Sequence, residues 1–194
     1  MKIVSLDLSL TGTGLCVVDA DASSLILLDV GTIKTTPKDG GLYQRFDLIL
    51  EKLHTAGTFD PKNTVLIGIE GYAFGRSDRG LLDRAELRGV ILHKLHLLQI
   101  PHISIAPQSM KKFVSGSGNL KKNMIPMHVR QKFATEFLVA GIELRDDNQA
   151  DAVGLAAMTF KYLQWLRGSL VPADLAKVFE KIKENSHYFG TKTN

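Results

Sequence analysis

Hydrophobic and polar residues alternate along residues 2–8 (KIVSLDL), with Val4, Leu6 and Leu8 on one side and Ile3, Ser5 and Asp7 on the other. That period of two predicts a strand, with Asp7 facing away from its more apolar side. The polar stretch Thr11-Gly12-Thr13-Gly14 predicts a turn, and strand-like runs follow at about 15–19 and 24–33. Three short-linked strands in succession predict an antiparallel meander. The period then changes, because Leu42, Phe46, Ile49, Leu50 and Leu53 recur at helical spacing across 41–56. Residues 65–69 (VLIGI) form an unbroken apolar run that suits a strand covered on both faces, and Glu70 ends it. An apolar helix is predicted at about 80–98, a short strand at 102–105, and two helical pieces within 107–137 around Ser115-Gly116-Ser117-Gly118-Asn119. From Asp147 to Arg167 the pattern is helical but apolar on almost every side, so the first half of that helix should be buried. A last amphipathic pattern (Leu175, Val178, Phe179, Ile182) lies in the tail. With no internal repeat and no long linker, 1–194 reads as a single α/β domain, with a core at about 1–167 and a helical tail at about 168–194.

Composition narrows the class. At 44% hydrophobic and 23% charged, the chain of 194 residues matches neither a disordered nor a fibrous protein. A net charge of +4 favours an anionic partner, and its distribution sharpens that expectation. No acidic residue occurs between Glu86 and Glu136, whereas Arg88, Lys94, Lys111, Lys112, Lys121, Lys122, Arg130 and Lys132 do. Such a segment predicts a phosphate track, or else a solvated helical face. Cys16 is the only cysteine and lies in an apolar run, which predicts a core thiol, no intrachain disulfide and a cytoplasmic setting. Charged or polar residues break every apolar run before it reaches membrane-spanning length, and the start of the chain does not read as an export signal.

Three acids fall where burial is costly: Asp7 in the first strand, Glu70 at the end of the buried strand, and Asp151 in the apolar helix. Singly, each has an ordinary explanation in a cap, a turn or an ion pair. Together, carboxylates from two strands and a helix can converge on one point, and clustered hard oxygens suit Mg²⁺ or Mn²⁺. Two such ions can activate water and stabilise the leaving oxygen in phosphodiester cleavage.

At these residues the chain resembles the RuvC-type Holliday junction resolvases, in particular the small bacteriophage-like members. The segments that carry the resemblance are LDLSLTGTG around Asp7, IEGYAFG around Glu70, IAPQSMKKFVSGSGNLKK at 105–122 and DDNQADAVGLA at 146–156. The resemblance implies an RNase H-like fold, a five-stranded mixed sheet with helices on both faces and the acids at its centre. It also implies that Asp7, Glu70 and Asp151 are catalytic metal ligands for Mg²⁺, with Mn²⁺ able to substitute and two ions per site. The fourth position departs from the family pattern. Asn148 stands where an acid or histidine is usual, and Asp147 lies one residue earlier, so either can reach Asp151 on a helix, with Asp147 preferred.

The implied function is metal-dependent hydrolysis of branched DNA, above all the four-way junction, in recombination and repair. Lys111, Lys112, Lys121 and Lys122 are the expected DNA contacts, with Lys111 and Lys122 near the scissile phosphate and Lys122 also catalytic. Tyr72 and Phe74, in a polar loop, are candidates to stack on an unpaired base, one of them packing the loop instead. His93 and His96 are given no catalytic role. The second apolar face of the helix at 80–98 predicts a homodimer, which would bring two sites to one junction. The competing readings are an RNase H-like nuclease for another substrate such as an RNA–DNA hybrid, a non-catalytic nucleic-acid-binding module, and an actin-like ATPase, whose second phosphate loop is not found.

Overall fold

A computed structural model describes residues 1–21, 24–72 and 79–186. Its elements run β1 (Lys2–Asp7), β2 (Gly12–Ala20), β3 (Leu25–Lys34), α1 (Leu42–Thr55), β4 (Thr64–Glu70), α2 (Arg79–Leu97), β5 (His102–Ile105), α3 (Pro107–Ser115), α4 (Ile125–Lys132), α5 (Ala134–Ala140), α6 (Asp147–Leu166) and α7 (Ala173–Asn185). The five strands form one mixed sheet in the order β3-β2-β1-β4-β5. β1, β2 and β3 pair antiparallel as the expected meander, while β4 and β5 add parallel to β1 through helical crossovers. β1 is therefore central.

The period-2 pattern of β1 divides the core in two. Val4, Leu6 and Leu8 pack with Phe46, Ile49 and Leu53 of α1 and with Leu87, Ile91 and Leu95 of α2. Ile3 lies in the other core with α6, and the Ser5 hydroxyl donates to the Ala152 carbonyl of α6 at 2.6 Å. Helix α6 is buried nearly all round because the sheet covers one side, while α3, α4 and α7 pack on the rest. The close packing needs glycine at several places, Gly14 and Gly154 among them. A Cβ on Gly14 would meet the Asn148 carbonyl oxygen at 2.2 Å, and one on Gly154 would meet the Met110 sulfur at 2.8 Å.

Two expectations need correction. The Thr11–Gly14 turn is mostly strand: β2 already begins at Gly12, because its glycines let the first turn of α6 lie against strand backbone. Residues 107–137 hold not two helical pieces but α3, α4 and the start of α5, with a second break at Phe133, where the backbone leaves the helical region while the ring stays buried. The amphipathic tail pattern does form a helix, α7, with Phe179 and Ile182 buried against α6. No helix among the described residues is long and apolar enough to cross a membrane.

Candidate active site

The register of β1 with β4 pairs Ser5 with Gly68 and Leu6 with Ile69, so one further step sets Asp7 beside Glu70. Both lie at the C-terminal ends of adjacent parallel strands and on the α6 face. Neighbouring strands are about 4.8 Å apart, so the two carboxyl groups must interact. They share a hydrogen bond, and the Glu70 pKa is pushed up to about 9, by burial first, then by the Asp7 charge and that hydrogen bond, then by Asp151. Burial and the neighbouring negative charge thus favour the protonated form of Glu70 when no cation is present.

Asp151 reaches the same place from α6, one turn inside the helix. Its side chain is 5% exposed, and burial, then the charge of Asp7, raises its pKa to about 7, against an opposing contribution from Lys122. The Lys122 ammonium stands 3.5 Å from one Asp151 oxygen. Burial alone would lower the lysine pKa, but Asp151, Asp7 and Glu70 outweigh it and the pKa is raised. The other Asp151 oxygen, Oδ1, is buried without a hydrogen-bond partner.

The first turn of α6 is pinned to the sheet. The Asp146 carboxylate caps the helix by accepting from the Gln149 amide at 3.0 Å, and the Thr32 hydroxyl of β3 donates to it at 2.7 Å. Two residues on, Asn148 lies against Gly12 and Thr32, on the β2 and β3 side. Asp147, one turn before Asp151, is the residue whose charge bears on it. Among the described residues no three acids or histidines stand as a ready metal cage. The acids instead form a proton-sharing pair, Asp7 and Glu70, beside a third, Asp151, held by lysine. An orphaned buried carboxylate oxygen, like charges forced to retain protons and an all-oxygen donor set nevertheless fit a hard divalent cation.

The sequence profile of the family described as crossover junction endodeoxyribonuclease RuvC matches residues 3–159. The chain belongs to the RuvC family. It is thus an endodeoxyribonuclease of the junction-resolving kind, and its family's reaction depends on a divalent metal. The RuvC of Prochlorococcus marinus is 23% identical over 160 residues, 82% of this chain and 96% of its own. That of Orientia tsutsugamushi (strain Ikeda) is 27% identical over 132 residues, 67% and 80% of the two chains. Among solved structures, Thermus thermophilus RuvC in complex with Holliday junction substrate superposes with a TM-score of 0.64 at 22% identity, covering 86% of this chain and 95% of that one. The Fowlpox virus resolvase with its junction DNA superposes at 0.53 and 14% identity, covering 84% and 99%. The likeness shows that the RNase H-like fold expected from the sequence is the one present.

The basic residues of this RuvC-family chain divide in a way their sequence spacing conceals. Lys122 joins the acids. Lys111 is half-buried on α3 and Lys121 exposed just before Lys122. Lys112 instead pairs with Asp174 of α7 at 2.9 Å, Lys94 lies 4.4 Å over the Phe59 ring, and Arg130 donates to the Leu144 carbonyl at 2.7 Å. Lys132 sits 4.2 Å over the Phe113 ring and donates to the Phe113 carbonyl. Four of the eight cations in the basic stretch thus already have partners within the fold, although Lys112, Arg130 and Lys132 stay exposed. Arg88 is a further exception, being buried and bonded to the end of β4. The signal was available, because Arg88 falls on the same helical stripe as Ile91 and Leu95. Tyr72 is 40% exposed beside the site, and Phe74 lies outside the described residues. His93 and His96 are exposed on α2, away from the core.

Proposed function

We propose that this chain hydrolyses phosphodiester bonds of four-way junction DNA at the Asp7, Glu70 and Asp151 cluster. Asp147 serves as the fourth carboxylate, and Mg²⁺, replaceable by Mn²⁺, is the cofactor at two ions per site. The observation that carries this reading is the buried, unpartnered Oδ1 of Asp151 beside two acids that share a proton. An isolated buried carboxylate oxygen costs stability unless a cation or donor meets it. Bound there, a pair of divalent ions supplies Lewis-acid activation of water and neutralises charge on the leaving oxygen.

The chain's own groups do the rest. Glu70 gives up its proton when the cluster is loaded, so metal binding is coupled to proton release. Lys122, poised at Asp151, is free to turn to the scissile phosphate once its carboxylate is otherwise engaged. Lys111 and Lys121 hold the backbone of the DNA arms, and Tyr72 stacks on a base at the branch. A two-fold dimer brings a second site to the same junction. What supports it is the outer stripe of α2, where Leu82 is 65% and Leu97 66% exposed and Gly89, also exposed, leaves open space for a second helix. The place of action proposed is the cytoplasm, in recombination and branch resolution.

The test is a cleavage panel of four-way, three-way, flap, linear and RNA–DNA hybrid substrates in Mg²⁺, run with the wild type and Asp7→Asn. Junction cutting by the wild type alone is expected. Preferred cutting of the hybrid, or undiminished cutting by the variant, would overturn the assignment.

A further inference from the structure

Arg88 lies in α2 with only 8% of its surface exposed and makes three directed contacts. Nη1 donates to the Glu70 carbonyl at 2.7 Å, Nη2 donates to the Ser104 hydroxyl of β5 at 3.0 Å, and the guanidinium carbon stands 5.3 Å from the centre of the Tyr72 ring. The intervening Gly71 amide donates to the Ile105 carbonyl at 2.7 Å, and a Cβ there would come within 3.1 Å of the Ser104 oxygen. Glu70, Gly71 and Tyr72 are therefore held in sequence, the first by a guanidinium N–H, the second by β5 and the third by the guanidinium lying over its ring.

A planar, delocalised cation can bond in its plane and stack on its faces at the same time, which an ammonium cannot. With one face of Tyr72 against Arg88 and the ring 40% exposed, an outer face remains for a base. We propose that Arg88 is a positioning residue that fixes the branch-stacking ring relative to the Glu70 carboxylate, so that capture of a base at the crossover seats the scissile phosphate at the acids. The inference rests on the proposed roles of Glu70 and Tyr72. It adds a structural reason why branched DNA is cut in preference to a linear duplex, in which no base is free to reach the ring.

The experiment compares Arg88→Met and Arg88→Lys with wild type and Asp7→Asn on a four-way junction carrying 2-aminopurine at the crossover. It reads dissociation constant, single-turnover cleavage rate, fluorescence change on binding and melting temperature. Arg88→Met is expected to bind within about threefold, since phosphate contacts carry affinity. Misplacement of a reacting group costs on the order of 10²-fold in rate, and that loss is expected for Arg88→Met together with loss of the fluorescence change. Arg88→Lys keeps the charge but not the plane, and should recover no more than about tenfold of that rate and little of the signal. If Arg88→Met does not fold, the lysine variant decides. Cleavage within about threefold of wild type, full rescue by lysine, or slow cleavage with an unchanged 2-aminopurine signal would each overturn the role. Asp7→Asn separates the two readings: dead but with the wild-type signal, it upholds the acids whatever Arg88 does, and active, it removes the acid assignment itself.

Discussion

The two faces of the sheet are built from alternate residues of the same strands, yet they do opposite things. On the α1 and α2 face, Val4, Leu6, Ile67 and Ile69 close an apolar core in which, among the described residues, no carboxylate is buried. On the α6 face, Asp7 and Glu70 follow Ser5 and Gly68 in register, and Asp151 descends from a helix otherwise lined with alanine, valine and leucine. One face lowers the free energy of the fold by removing apolar area from water. The other holds three acids in a setting that raises the pKa of Glu70 and Asp151, a cost that the proposed divalent cation would offset. The contrast teaches that stability and chemistry can be assigned to opposite sides of one strand, separated by a single residue of register.

That division makes predictions that differ in kind from face to face. The largest effect is expected for Asp7→Asn, which should lower cleavage by on the order of 10³-fold while leaving the metal-free melting temperature unchanged or higher, because it removes a like charge beside Glu70. A variant both inactive and strongly destabilised would erase the distinction. Leu6→Ala, one residue away, should do the reverse and cost about 2–5 kcal/mol in denaturant unfolding, with near-normal activity per folded molecule. Gly14→Ala sharpens the comparison, since its Cβ would collide with the Asn148 backbone and displace the first turn of α6. A loss of about 1–3 kcal/mol is expected, with cleavage reduced as well.

A pH scan distinguishes the faces without mutation. In the folded, metal-free protein Glu70 and Asp151 hold protons up to about 9 and about 7, whereas the unfolded chain releases them near 4.5 and 3.8. The folded state binds more protons across that window, so melting temperature should fall as pH rises from about 4.5 towards 9, and saturating Mg²⁺ should flatten the slope. Calorimetry in buffers of different ionisation enthalpy should register the protons released on Mg²⁺ binding. A flat metal-free profile would mean that the acids are not electrostatically opposed. The smallest effect is expected for Thr32→Val, which removes the hydrogen bond that anchors the α6 cap and should cost about 1 kcal/mol in denaturant unfolding.

The alternation in β1, the apolar run of β4 and the all-round apolar pattern of α6 determined by themselves which segments form the sheet, which helix is enclosed and where acids sit against the burial trend. Those properties are local, since backbone periodicity of 2 or 3.6 is written directly into residue order. Only the tertiary structure decided which chemistry-bearing residues meet. It placed Lys122 on Asp151, set Asn148 against β2, and gave Lys94, Lys112, Arg130 and Lys132 partners within the fold. It also took Arg88 out of the presumed DNA track and set it behind Glu70. Linear spacing carries no record of such partners, because whether a cation faces solvent, a carbonyl or a ring depends on elements far away in the chain that pack beside it.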